Sequence, residues 1–324
     1  MNNIIANRHD ILILFDVTNG NPNGDPDAGN MPRIDPTSNK GLVSDVCLKR
    51  KIRNYVIEFC KDAEGKPMRG LDILVRQGNI LNDELKKGID EAAKSLDKNA
   101  GDKEKAKAAM EWLCSHFYDI RTFGGVLSTG QDVLKGSAYG QVRGPVQFTF
   151  GRSCDAITPL DISITRCAVT KPEDEKKERT MGNKHIVPYA LYVAKAYVSP
   201  VFAERTGFTK DDLTLFFEAL QHMFTHDQSA ARAEMTVRGI YDFEHVGSQH
   251  PNNAAQNKKE ARLGCCHAHK LFEGIDIKLK PGKEFPESFS DYEVRCSWTE
   301  ERLPKGVNLH LRHEQPTKTI KFRP

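Results

Sequence analysis

Residues Asn19 to Pro36 read NGNPNGDPDAGNMPRIDP; the apolar run Ile11-Leu12-Ile13-Leu14-Phe15 leads into them, and GLVSDVCLKRKIR, Gly41 to Arg53, follows. The stretch holds four Pro, three Gly, four Asn and three Asp. These residues fix φ, permit positive φ or bond their own backbone, so the segment is ordered while being neither helix nor strand. A connection this long inside a compact domain is functional or disordered, and this composition favours function. The run before it is a buried strand, too short to span a membrane and without signal-peptide flanks.

The residues after the loop specify a helix. Ser44 is a good N-cap, and Leu48, Ile52, Tyr55, Val56 and Phe59 recur on one face, which should pack on a sheet. Lys49, Arg50, Lys51 and Arg53 crowd the N-terminal half, where the macrodipole disfavours cations by a few tenths of a kcal/mol each. An anion reverses that sign. A solvated basic face is the plain alternative, but an entry loop rich in Gly and Asn offers backbone N–H groups, which makes phosphate binding the better reading.

Further along, residues 80 to 117 are rich in Ala, Lys, Glu and Leu, with Asn82 and Asp102 as N-caps, and read as a helical insertion. Alternation at Val146, Phe148 and Phe150, and at Ile162, Ile164 and Ala168, predicts half-buried strands. Ile186 to Val198 is another strand, preceded by the charged segment Lys171 to Lys184, a projecting hairpin or loop. Thr209 to Asp212 forms a capping box before the stripe Leu213, Phe216, Phe217, Leu220 and Phe224. A last strand spans Met235 to Val246. The order strand, helix, strand, strand, helix, strand is an α+β, ferredoxin-like pattern.

Composition sets limits. A chain of 324 residues buries a substantial core, and a net charge of +3 confines any basic footprint to a local patch. Eight Cys without a signal peptide imply free thiols in a reducing cytosol. Cys265-Cys266-His267-Ala268-His269 is the one metal-like cluster in the sequence, and adjacent cysteines suit tetrahedral zinc poorly, so its expected role is a structural or surface one.

The run NPNGDPDAGNMPRIDP with GLVSDVCLKRKIRNYV resembles the opening of the CRISPR-associated Cascade backbone subunit of subtype I-C, in the repeat-associated mysterious protein superfamily. So do Asp119-Ile120-Arg121-Thr122-Phe123-Gly124, Gly144-Pro145-Val146-Gln147-Phe148-Thr149-Phe150-Gly151-Arg152-Ser153, and Arg179-Thr180-Met181-Gly182-Asn183-Lys184-His185-Ile186-Val187-Pro188-Tyr189. These matches fall in family order from residue 9 to about residue 245; the sequence after about 250 adds little. The resemblance implies one elaborated domain over 1–324: a modified RNA-recognition-motif palm, helical fingers at about 61–118 and a protruding thumb at about 168–186. It also implies a non-catalytic protein of the cytoplasm, without metal or cofactor and without membrane contact. Copies would stack head to tail along the CRISPR RNA (crRNA) with other Cascade subunits and present the spacer to target DNA. A guide accepts any spacer, so the protein should grip phosphate and ribose and leave base edges free.

On that reading the expected RNA contacts are Asn21, Asn23 and Arg33 in the loop, Lys49, Arg50 and Arg53 on the helix, and Arg121 and Phe123 before a glycine pair. Arg143, Gln147, Arg152 and Arg166 follow, and then Met181 and Lys184 in the thumb, where an uncharged Met wedges between nucleotides. Arg121 and Arg166 equally suit pairing with carboxylates. Phe148 and Phe150 are expected in the core rather than in a stacking platform. Two other function classes stay open. One is a metal-dependent ribonuclease cutting target RNA through Asp25, Asp27 or Asp35, or a processing enzyme using His9, His185 or His226. The other is an assembly scaffold with little RNA contact.

Overall fold

In the computed structural model, which describes residues 3–97, 99–130, 133–168, 171, 181–232 and 234–323, the apolar run grows into a 13-residue strand, β1 (Arg8–Gly20). Its side chains alternate between two cores. Ile11, Ile13, Phe15 and Val17 join one, and Leu12 and Leu14 join the other. Burial on both faces is why β1 reads as a continuous apolar run rather than as polar/apolar alternation.

Among the described residues, nine strands form one sheet. After β1 come β2 (Lys40–Val43), β3 (Val146–Phe148), β4 (Gly151–Ala156), β5 (Leu160–Thr165), β6 (Met181–Val198), β7 (Glu234–His245), β8 (Val307–Leu311) and β9 (Lys318–Ile320). They lie in the order β9-β8-β7-β1-β6-β4-β2, and β3 and β5 also pair with β6. Every pairing is antiparallel. The helices are α1 (Asp45–Phe59), α2 (Leu81–Ala93), α3 (Asp102–His116), α4 (Tyr118–Phe123), α5 (Pro200–Thr206), α6 (Lys210–His222), α7 (Ala254–Leu263) and α8 (Ala268–Glu273). β1, α1, β3, β5, β6, α6 and β7 answer to elements read from the sequence, whereas β4 (Gly151–Ala156) was not read there, and it is β4 that completes the row β7-β1-β6-β4.

Leu48, Ile52 and Val56 of α1 and Phe216, Phe217 and Leu220 of α6 cover one face of the sheet. The C-terminal segment covers the other with Leu271, Phe272, Ile275, Tyr292, Leu303 and Phe322. Leu85, Ala92, Ala106, Ala109, Leu113 and Phe117 make a smaller core of their own between α2 and α3, reaching Leu134 and Val142.

Several local expectations change. Phe59 is 58% exposed and packs against Tyr55 and His226. Asn82 and Asp102 lie inside the first turns of α2 and α3, whose N-caps are Ile80 and Gly101, without side-chain cap bonds. Phe148 packs on Phe123 and Phe216, whereas Phe150 is 51% exposed because it falls between β3 and β4, where the alternation breaks. All six residues of β5 are exposed, and Ala168 lies beyond the strand. β5 pairs only with the first six residues of β6, Met181 to Ile186. Ser44 and the Thr209–Asp212 capping box are found as read.

Candidate nucleic-acid interface

Loop chemistry sets the geometry of residues 19–43. Asn19, Gly29, Asn30 and Asn39 take positive φ, of 48°, 60°, 66° and 54°, conformations that Asn and Gly tolerate best. Gly24–Asp25 pairs with Met31–Pro32, and between them Pro26–Ala28 makes a single 3-10 turn capped by Asp25. Asn23 fastens the loop to α1, its Oδ1 accepting from the N–H and the hydroxyl of Ser44, both at 2.9 Å. Ser44 Oγ in turn accepts the Cys47 N–H at 3.3 Å. The Asn21 N–H donates to Ala231 O at 2.7 Å, tying the loop to residues 224–232 between α6 and β7.

That second loop brings in residues which the sequence reading missed. Asp227 receives Lys51 of α1 and Asn54 Nδ2, the latter at 3.3 Å, and Arg232 Nε lies 3.4 Å away. Burial pushes the Asp227 carboxyl up, but Lys51 and Arg232 outweigh it and hold it below the ordinary carboxylate value. Arg33 adds a third cation nearby, its Nη1 3.4 Å from Asp25. Burial raises the Cys47 thiol against the opposing fields of Lys51, Arg232 and Arg33. The signal was available. β1 and β7 are antiparallel neighbours, so the loop that leaves β1 and the loop that enters β7 share one end of the sheet.

The remaining candidates divide into two groups. Most basic groups around the insertion are engaged internally. Arg53 Nε donates to buried Asp119 at 2.8 Å, and Asp119 also accepts the N–H groups of Leu74 and Val75. Arg50 Nη1 donates to Val75 O at 2.7 Å, and Lys49 pairs with Asp45 at 3.0 Å. Arg121 forks onto both Asp212 oxygens, at 3.0 and 2.7 Å, and donates to Cys114 O and Gly70 O. Phe123 is 5% exposed, beneath the Arg53 guanidinium. Gln147 Nε2 donates to Phe123 O and Gly144 O. The glycines beside Phe123 serve the protein's own backbone. Gly124 has φ +75°, and a Cβ there would sit 2.2 Å from Val142 O.

At the surface, Arg143 lies over the Phe202 ring, and Arg152 is 55% exposed while contacting Asp35. Lys184 is half-buried and Met181 is 68% exposed; both belong to the β5/β6 hairpin, and Arg166, exposed, follows β5 directly. The thumb residues 172–180 lie outside the described residues.

The candidate catalytic residues do not converge. Asp25 Oδ1 caps its own turn, and Asp35 accepts from Thr37 N–H and Ser38 Oγ besides Arg152. His9 is buried against Asp242, His185 lies 3.4 Å from Asp161 on the hairpin, and His226 packs edge-on against Tyr55 and Phe59. Among the described residues no three His, Cys, Asp or Glu side chains are grouped to hold a metal, and Cys265 Sγ instead donates to Gly306 O. All eight cysteines are free, and no helix among the described residues is long and apolar enough to cross a membrane.

The chain is 27% identical over 235 residues to a CRISPR-associated protein Cas7 of Haloferax volcanii, a match covering 68% of this chain and 66% of that relative. Among solved structures it is similar to a chain of a CRISPR RNA-guided surveillance complex in a pre-nicking state, with TM-score 0.46, 18% identity, and 73% and 75% of the two chains covered. It is also similar to a chain of the Type III-B Cmr-beta complex bound to cognate target RNA, with TM-score 0.38, 11% identity, and 72% and 60% covered. The family model described as CRISPR-associated protein Cas7 matches residues 7–297, and the chain belongs to that family.

Proposed function

We propose that this chain is the non-catalytic backbone subunit of a type I-C CRISPR effector complex, stacking along the crRNA, gripping its sugar-phosphate backbone and presenting the spacer for pairing with target DNA. The β7-β1-β6-β4 sheet with α1 and α6 is the RNA-recognition-motif palm, α2 and α3 are the fingers, and the β5/β6 hairpin is the base of the thumb. The observation that carries the reading is the pinned loop of residues 19–43. It is fastened over the N-terminus of α1 by Asn23 and to residues 224–232 by the Asn21 N–H, and Arg33 and Arg232, on these two loops, have side chains 34% and 36% exposed. The opposite sheet face, where an RNA-recognition motif would stack bases, is closed by the C-terminal segment. Binding therefore falls to loops and phosphate contacts, which suits a guide of arbitrary sequence.

Purified protein should bind single-stranded RNAs of unrelated sequence with similar affinity and a steep salt dependence. Affinity confined to one sequence, or insensitive to salt, would contradict the proposal. The ribonuclease reading has its own test. Guide and complementary RNA should stay intact with Mg²⁺ or Mn²⁺, and cleavage lost in Asp25→Ala, Asp27→Ala or Asp35→Ala would replace the proposal with that reading.

A further inference from the structure

Exposed apolar side chains that stand singly on a surface need no explanation, but several lining one cavity mark a contact surface. Between the last turn of α1, the chain returning after it and α6 lies a cavity of about 340 Å³ whose apolar wall is Phe59, Cys60, Met68, Leu71 and Leu215. Phe59 belongs by its spacing to the apolar stripe of α1, yet it is 58% exposed here, and Met68 is 48% exposed. Local bonds hold both at the rim. The Met68 N–H donates to Cys60 O at 2.9 Å, folding residues 61–67 back on α1, and the Phe59 ring packs on Tyr55 with centroids 4.9 Å apart.

The charged residues that line the cavity are all acidic: Asp211, Asp212 and Glu218. Arg121 neutralises Asp212 through its fork onto both carboxylate oxygens. Asp211 and Glu218 are exposed and have no cationic partner among the described residues; Glu218 accepts the Tyr55 hydroxyl at 2.8 Å. Two surplus carboxylates repel a phosphate chain or an anionic lipid surface and attract Lys and Arg. The walls beneath them call for apolar side chains. Because α1 and α6 spend their backbone groups internally, an extended peptide finds no ladder to join, whereas a helix satisfies its own backbone and brings side chains alone.

We propose that the groove between α1 and α6 is a docking site for a basic amphipathic helix of another protein, its apolar face seated against Phe59 and Met68 and its Lys or Arg side chains over Asp211 and Glu218. The groove lies at the opposite end of α1 from the loop fastened at Ser44. It therefore supplies a protein contact separate from the RNA contacts proposed above, and it stands or falls without them.

The test titrates the full chain with a synthetic Leu/Lys amphipathic peptide of about 14 residues, long enough to hold a helix, and with its Leu/Glu counterpart. The Leu/Lys peptide should bind and the Leu/Glu peptide should not. Phe59→Ser should weaken binding by roughly tenfold or more, the loss expected of an aromatic anchor. Asp211→Lys should weaken it as well, while Glu104→Lys, which reverses an exposed carboxylate on α3, should leave it unchanged. Failure of either peptide to bind, equal binding of both, or binding undiminished in Phe59→Ser and Asp211→Lys overturns the proposal. An equal loss in Glu104→Lys shows general charge attraction and overturns it too. Sedimentation of the RNA-free protein supplies the remaining arm: a wild-type dimer that Phe59→Ser dissociates makes a second copy the occupant and overturns the assignment to another protein. If Phe59→Ser does not fold, Asp211→Lys against Glu104→Lys decides.

Discussion

At the scale of single residues, arginines that look alike in the sequence divide by burial. Arg121 stands in a motif beside glycines and reads as a phosphate ligand, yet its guanidinium forks onto Asp212 within the protein. Arg33 and Arg232 pair with Asp25 and Asp227, and their side chains stay 34% and 36% exposed. Spacing along one chain does not reveal which carboxylate lies across the fold, so Asp119 and Asp212 were invisible as partners. The ordered conformation of the loop around Asn21 and Asn23 was legible because turn chemistry is local. Arg121→Ala should therefore cost about 3–5 kcal/mol, the usual loss when one partner of a buried pair is removed, while the salt slope of RNA binding by the folded fraction stays unchanged. Denaturant titration beside salt-dependent binding separates the two readings, and a flattened slope at wild-type stability would show Arg121 to be a phosphate contact.

His9 and Asp242 make a second residue-scale case, their Nδ1 and Oδ1 2.8 Å apart where β1 meets β7. Burial lowers the His9 pKa, but Asp242 outweighs it and raises the ring above its ordinary 6.5. Burial likewise pushes Asp242 up, and His9 and Arg312 outweigh it and hold the carboxyl well below its usual range. Glu244, held by His310, His9 and Asn7 against the same burial, falls to about 2. A raised His pKa gives stability that is full below 6.5 and lost as pH rises through the folded value. The depressed carboxylates give stability that is present above their ordinary values of 3.8 and 4.5 and lost as pH falls below them. Urea midpoints should therefore peak between about pH 5 and 6.5 and fall on either side. His9→Gln should abolish the alkaline fall, and its persistence would remove His9 from the explanation.

Among the elements, the β5/β6 hairpin departs most from its sequence reading. Apolar alternation at Ile162 and Ile164 promised a half-buried strand, and the two side chains are 40% and 51% exposed. Alternation records that a strand has an apolar face; it does not say which molecule covers that face. Leu160, Ile162, Ile164 and Lys184 share one side of the ladder, by the pairings Lys184 with Ile162 and Ile186 with Leu160. Replacing Ile162 and Ile164 by Asp should leave monomer stability within about 0.5 kcal/mol, as for exposed positions generally. The same change should disrupt ordered stacking on RNA. Loss of monomer stability by several kcal/mol would mean that the hairpin packs on its own chain. Gly124→Ala belongs to this scale too, because positive φ and a 2.2 Å clash with Val142 O would break the join between α4 and the strand Gln141–Arg143. A protease-sensitive insertion in that variant is the expected outcome, seen as new cleavage between residues 61 and 143.

For the whole molecule, β1, α1, β3, β6, α6 and β7 were legible because each carries its own period or cap, whereas β2 and β4, short and without apolar alternation, were not. The part after residue 250 was not. Its strands are short, and its apolar residues fill one face of a sheet built from distant sequence, so neither periodicity nor local propensity marks it. Covering that face directs the proposed RNA contacts to the loops and leaves the hairpin as the protruding element. A protrusion on one side received by a different surface on the next copy is a heterologous contact, which generates an open array rather than a closed ring. The most direct measurement is the native mass of complexes assembled on RNAs of increasing length and arbitrary sequence. Stepwise addition of copies in proportion to RNA length is the predicted result, and it should disappear when Glu173 to Met181 is replaced by a short Gly/Ser turn in a protein that still folds. A fixed stoichiometry whatever the RNA length, or unchanged stepwise assembly after that replacement, would contradict the account.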